Sequence, residues 1–150
     1  MIEKYYYSYD EFKDDTLLLA NKLRDYNPDA ILAIARGGCT LGHMLSEALN
    51  TRKLYTINSI HYNDTQKLDT IDIFNIPDLS NYSKVIIVDD IVDSGETIVE
   101  VLKILKQQFP NCEFKVATLF YKQTALMQPD FSIKEAKQWI DFFWEADFKQ

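Results

Sequence analysis

Three aspartates and a cluster of small hydroxylic residues share one short run, Val85 to Thr97, VIIVDDIVDSGET. Asp89 and Asp90 are acceptors only, which suits hydroxyl groups that donate hydrogen bonds, or a hard cation such as Mg2+. Asp93 adds a third carboxylate. Ser94 and Thr97 supply hydroxyls, and Gly95 lets backbone approach a ligand closely. An anion is favoured where such a loop opens a helix, because the first amides and the positive end of the helix dipole point at it. Acceptors for a diol and donors for a phosphate, a few residues apart, are what a ribose 5-phosphate requires. A second loop of this kind is Arg36-Gly37-Gly38, a permanently charged planar guanidinium beside glycines whose amides can converge on an anion.

These residues need elements to hold them. Val85 to Val88 is apolar, β-branched and without polar alternation, which predicts a buried strand. Beyond Thr97, residues Ile98, Val101, Leu102, Leu105 and Phe109 recur at helical steps. The acidic loop is therefore expected at the carboxyl end of a strand, where α/β sheets bind ligands. Ala30 to Ile34 predicts a second buried strand, followed through the Arg-Gly-Gly loop by a helix from about Thr40 to Leu49. Cys39 reads as a small residue packed behind that loop. Upstream, Ser8 and Glu11 form a capping box ahead of a helix whose apolar face is Phe12, Leu19, Ala20, Leu23 and Tyr26. Asn27-Pro28-Asp29 ends it, and Tyr5 to Tyr7 reads as an edge strand or packing arm. Lys53 to Ser59 predicts a third strand. Residues 60–78 are polar and without a clear period, so they are expected to form a long functional connection, with His61 as a solvated loop residue. Glu113 to Tyr121 predicts a further strand, with Lys122 at its carboxyl end. The whole is expected to be one α/β domain over residues 1–150, a mainly parallel sheet with helices on both faces.

Composition sets outer limits. A chain of 150 residues can bury about 70% of its unfolded surface, enough for one self-sufficient core. A net charge of −7 opposes nucleic-acid binding, which needs clustered Lys and Arg. No apolar run approaches the ~20 residues of a membrane span, and MIEKYYYSYDEF lacks the layout of a signal peptide. The two cysteines, Cys39 and Cys112, make no disulfide framework or metal spacing, so a cytoplasmic setting is expected.

VIIVDDIVDSGET resembles the signature of the type I phosphoribosyltransferases: an apolar strand, two acids, then an acidic hydroxyl-glycine loop. Lys122 together with Trp139-Ile140-Asp141-Phe142-Phe143-Trp144-Glu145 resembles the C-terminal motif of the 6-oxopurine members, the xanthine-guanine and hypoxanthine-guanine enzymes. A response-regulator receiver domain also ends a strand in an aspartate pair, but on its first strand, whereas here the pair follows two others.

The resemblance implies binding of 5-phosphoribosyl 1-pyrophosphate (PRPP). Asp89 and Asp90 would take the ribose hydroxyls, and Ser94, Gly95, Glu96 and Thr97 the 5-phosphate. Arg36, Gly37 and Gly38 would take the pyrophosphate, in a loop that in this family frequently holds a strained peptide. Asp93 would stand near purine N7 as the catalytic acid-base group. Lys122 would donate to purine O6, Trp139 would stack on the base, and Ile140 would read it through its backbone, within a base-binding segment at about 122–145. Asp89 and Glu145 would bind Mg2+. Residues 60–78 would be a mobile hood, with Ser59 and Tyr62 standing where some relatives have an adjacent Ser-Tyr pair. Glu96 departs from the family, where Gly or a basic residue is common, and is tolerable beside a phosphate only if its side chain points away. The implied activity is purine salvage from PRPP by a homodimer or homotetramer. The alternatives are a PRPP-sensing regulator on the same fold and a transferase for another nucleobase.

Overall fold

The computed structural model describes residues 3–62, 70–145 and 148. In chain order the elements are β1 (Lys4–Tyr7), α1 (Tyr9–Tyr26), β2 (Ala30–Ala35), α2 (Cys39–Ala48), β3 (Leu54–Tyr62), β4 (Thr70–Phe74), β5 (Lys84–Val92), α3 (Glu96–Gln108), β6 (Glu113–Tyr121), β7 (Lys134–Glu135) and β8 (Trp139–Phe142). The main sheet has the order β4-β3-β2-β5-β6-β7 and is parallel except for β4.

Side chains alternate across that sheet with a period of two, and this builds both layers. Ile31 and Ala33 of β2, Ile86 and Val88 of β5, and Ala117 and Leu119 of β6 pack with Leu19 and Leu23 of α1 and Leu41 and Leu45 of α2. Their neighbours Leu32, Ile34, Val85, Ile87 and Val116 pack on the other face with Ile98, Val101, Leu102 and Leu105 of α3. Val85 to Val88 have no exposed surface, as expected of a strand covered on both sides.

Chain order makes the crevice. From β2 the chain passes through α2 to β3 on one side, and from β5 through α3 to β6 on the other. Neighbouring β2 and β5 therefore meet at a topological switch point, and their carboxyl ends open a cleft between diverging loops.

Two local features differ from expectation. Residues 60–78 do not form one irregular connection. Strand β3 runs on to Tyr62, and β4 returns antiparallel, with Ser59 opposite Ile73 and Tyr62 opposite Thr70. Ile71 and Ile73 turn partly inward while Thr70, Asp72 and Phe74 face solvent, an alternation already present in the five-residue TIDIF. Residues 63–69 of the expected mobile loop lie outside the described residues. The second difference is at Glu11. Its amide donates to Ser8 Oγ at 3.2 Å, giving α1 its cap, while its carboxylate accepts from Lys134 at 3.0 Å and from the Tyr5 hydroxyl.

Tyr5 to Tyr7 find their partner at the far end of the sequence. Strands β1 and β8 pair in parallel as a separate two-stranded sheet, Lys4 opposite Trp139 and Tyr7 opposite Phe142. The Tyr7 ring sits edge-on to Phe12, Phe120 and Phe142, joining this small sheet to the core.

Candidate active site

The Arg-Gly-Gly loop joins β2 to α2 by a close approach that admits no side chains. A Cβ on Gly38 would stand 2.4 Å from the Val88 carbonyl oxygen, and one on Gly37 would stand 2.8 Å from Oδ2 of Asp90. The two loops at the switch point are thus pressed together, with the Asp90 carboxylate against Gly37. The Ala35–Arg36 peptide bond is cis. Cys39 opens α2, and burial first, then the Asp89 charge, pushes its thiol up. It is a packed thiol, not an activated one.

Asp89 and Asp90 belong to the end of β5 itself, half-buried in the cleft. Each holds a backbone amide: Asp90 N–H donates to Asp89 Oδ1 at 2.9 Å, and Ile91 N–H donates to Asp90 Oδ1 at 2.7 Å. Burial raises both carboxyls above the ordinary range, Asp89 further because the Asp90 charge faces it. Two crowded anions of this kind favour a ligand that donates hydrogen bonds or brings positive charge.

Beyond them the chain turns through Ser94 and Gly95 into α3. Gly95 has φ +87°, a left-handed conformation, and as the N-cap it brings no side chain to the helix amides. Ser94 Oγ accepts from Glu96 N–H at 3.3 Å. The turn is roofed by the segment after Lys122, where Leu126 N–H donates to Ser94 O at 2.8 Å. A cavity of about 170 Å3 lies at this helix start, lined by Asp89, Asp93, Ser94, Gly95, Thr97 and, from the hairpin, His61. A second cavity, of about 530 Å3, is lined by Arg36, Gly37, Thr40, Trp144 and Glu145. Asp89 and Glu145, the two expected metal ligands, therefore line different cavities. Glu145 is raised by burial and by the charges of Asp90 and Asp141. Among the described residues no group of three His, Cys, Asp or Glu could cage a metal.

The strand ends bring Asp93 and Lys122 together. Val92 is paired with Tyr121, Lys122 N–H donates to Val92 O at 3.0 Å, and Lys122 Nζ lies 2.7 Å from Asp93 Oδ1. In β8 the alternation turns Trp139 outward, 58% exposed, and Ile140 inward, 7% exposed. Ile140 also lines a cavity with Tyr5, Phe120 and Lys134. Ser59 and Tyr62 stand on the hairpin, apart from one another and on opposite sides of the period-two alternation.

The model of the phosphoribosyl transferase domain matches residues 8–150. The chain belongs to the phosphoribosyltransferase family. Within that family the similarity is to purine enzymes. The xanthine-guanine phosphoribosyltransferase of Roseobacter denitrificans is 30% identical over 156 residues, covering 94% of this chain and 85% of that protein. Among solved structures, the Helicobacter pylori xanthine-guanine-hypoxanthine phosphoribosyltransferase superposes with a TM-score of 0.90 at 39% identity, covering 96% of this chain and 95% of that one. The purine phosphoribosyltransferase of Pyrococcus horikoshii gives 0.86 at 32% identity, over 98% and 97%.

Seen as a type I purine phosphoribosyltransferase, the chain holds one residue at the cleft that its sequence did not recommend. His61 is solvated, as expected, but it does not sit on an irregular loop; it lies on β3, lines the cavity at the start of α3, and has Nε2 at 3.5 Å from Glu96 Oε2. Glu96, the departure from the family pattern, is turned toward that imidazole. Nothing in the spacing of IHYND reveals this, because it depends on a hairpin leaning over a helix 35 positions later in the chain.

Proposed function

We propose that this phosphoribosyltransferase carries out purine salvage. It transfers the 5-phosphoribosyl group of PRPP to N9 of a 6-oxopurine (guanine, xanthine or hypoxanthine), giving the nucleoside 5'-monophosphate and pyrophosphate. The observation that carries this reading is the Lys122–Asp93 pair at 2.7 Å beside the acidic strand end. O6 and N7 of a 6-oxopurine lie side by side on one edge of the base. An ammonium is a donor only, which suits the O6 carbonyl and opposes the amino group of adenine. A carboxylate next to it suits an N7–H that must be lost as N9 attacks.

The ribose would lie on Asp89 and Asp90, its phosphate on the start of α3, and the pyrophosphate on Arg36, Gly37 and Gly38. The N9 lone pair forms the new bond to C1 of the ribose, pyrophosphate departs with the electrons of the old one, and the N7 proton passes toward Asp93. Charge that develops on the sugar in the transition state is oxocarbenium-like and is faced by the aspartates. Arg36 and the loop amides meet the leaving group. Oxygen donors alone, without a cage, fit Mg2+, which is held through one or two carboxylates plus substrate phosphates; Asp89 and Glu145 are the residues that would hold it. When bound, Mg2+ neutralises charge on the departing pyrophosphate. Trp139 would stack on the base, and the hairpin carrying Ser59 and Tyr62 would cover the site. Among the described residues no helix is long and apolar enough to cross a membrane. A cytoplasmic enzyme working as a homodimer or homotetramer completes the reading.

The test is purified protein with PRPP, Mg2+ and guanine, xanthine, hypoxanthine or adenine in separate reactions. Pyrophosphate and the matching monophosphate are expected with the oxopurines. Turnover with adenine alone, or with none of the four, overturns the proposal.

A further inference from the structure

We propose that His61 is a ligand of the substrate's 5-phosphate, and that Glu96 competes with this phosphate for the imidazole. The inference deepens the reading above and rests on it for the position of the phosphate.

Three observations converge on His61. The first is charge. The cavity at the start of α3 is lined by His61, Asp89, Ile91, Val92, Asp93, Ser94, Gly95, Thr97 and Ile98. Among the described residues of that lining, His61 is the one whose side chain can be cationic; the other ionisable side chains there are both carboxylates. A phosphate entering this cavity meets helix amides and two hydroxyls from the loop side and, among the described residues, a counter-charge from the hairpin side.

The second is placement. His61 is set by strand pairing, with Ile71 opposite it in β4, and not by a freely turning loop. The same strand enters the sheet beside β2, so the imidazole is carried by an element rooted in the core. Its side chain is 29% exposed and lines the cavity.

The third is Glu96. A carboxylate in the first turn of α3, beside an anion site, should repel the ligand. Its Oε2 is instead turned to His61 Nε2 at 3.5 Å. That separation exceeds a well-formed N–H···O bond, and Glu96 is 43% exposed, so the pair is weak and readily exchanged. A phosphate carries more charge and three acceptor oxygens, and a charge-assisted bond to it is the stronger partner for the same N–H. Glu96 reaches the imidazole from α3, and the other charged residues among the described lining of this cavity, Asp89 and Asp93, are also acids.

The test separates phosphate binding from turnover. Ribose 5-phosphate is titrated into the full chain by calorimetry, and KM for PRPP and for guanine is measured in parallel. His61→Ala is expected to weaken ribose 5-phosphate about tenfold and to raise KM for PRPP far more than KM for guanine. His61→Gln, which keeps a donor, is expected to recover part of the loss. Glu96→Gln is expected to tighten ribose 5-phosphate about threefold by removing the competitor. Affinity of His61→Ala within twofold of the parent, or weaker binding in Glu96→Gln, overturns the inference. Should the parent bind ribose 5-phosphate but transfer the phosphoribosyl group of PRPP to no purine, the proposed reaction fails while His61 is still judged by the titration. A melting temperature for each variant separates loss of fold from loss of a ligand, and Glu96→Gln decides the matter if both His61 variants unfold.

Discussion

Asp93 and Lys122 hold each other at 2.7 Å, and both are partly open to solvent. Such a pair is worth little in stability, so it can open to admit a base at small cost. Its worth lies in where it points. Asp93→Asn is expected to lower kcat with guanine at least about tenfold, equivalent to ~1.4 kcal/mol of transition-state stabilisation, as measured by steady-state kinetics. Unchanged turnover would remove Asp93 from the chemistry. Asp89 has the opposite balance, since burial and the Asp90 charge raise its carboxyl. A carboxyl raised by folding binds its proton more tightly in the native state, so stability falls as pH climbs from the ordinary carboxylate range through the raised value. Above that window the charge is a burden. Asp89→Asn is therefore expected to raise the melting temperature at pH 7.5, by roughly 2–4 °C for ~1 kcal/mol in a chain of this size. The gain should vanish near pH 4, where both forms are neutral, while PRPP binding is lost at either pH. A melt showing no gain at pH 7.5 would mean that the pair is satisfied without a ligand. Single residues such as Asp93 and Lys122 were legible in the sequence because each follows an apolar strand directly. Their contact was not, because it depends on the register of Val92 with Tyr121.

At the scale of elements, the two ligand loops are coupled by the absence of side chains. A methyl at Gly38 would meet backbone, the Val88 carbonyl oxygen in the central strand. Gly38→Ala is therefore expected to destabilise by about 1–3 kcal/mol, as overpacked cores do, measured by urea denaturation. A methyl at Gly37 would meet only the Asp90 carboxylate, a side chain that can move. Gly37→Ala should leave the denaturation midpoint nearly unchanged yet raise KM for PRPP, because it displaces a ribose acceptor; the reverse pattern would show that the loops are independent. Strands β2, β5 and β6 and helices α2 and α3 were all readable from continuous apolar runs and helical spacing. The hairpin was obscured by its own exposure. With one face in solvent and charges interleaved, β4 carries its signal in Ile71 and Ile73 alone.

Across the molecule, a polar network fastens β1 of the small sheet and β7 of the main sheet to the first helix. Lys134 Nζ lies 3.0 Å from Glu11 and 3.1 Å from Asp15, and the buried Tyr7 hydroxyl donates to Asp15 at 2.7 Å. Against the burial that would raise it, the Tyr5 hydroxyl and the Lys134 ammonium hold Glu11 below its usual range. Lys134→Ala is expected to cost about 1–3 kcal/mol by leaving the mostly buried Asp15 with one partner fewer. It should also raise KM for guanine more than KM for PRPP, since the proposed function puts the base beside β8, next to β7 in the chain, and the sugar at β2 and β5. Equal shifts in both constants would assign Lys134 to general stability. These distant partnerships, 119 positions apart for Asp15 and Lys134, leave no mark on local pattern, and only a folded chain displays them.

Pairing of β1 with β8 places residue 4 against residue 139. A contact spanning so much of the chain forms slowly and late, after the more local βαβ units have condensed. During synthesis the strands that the proposed reading gives to the sugar, β2 and β5, emerge before β8, which carries Trp139, the residue that reading gives to the base. A nascent chain halted before Trp139 should therefore already retain ribose 5-phosphate while ignoring guanine, so the order of translation sets the order in which the two substrates can first be recognised.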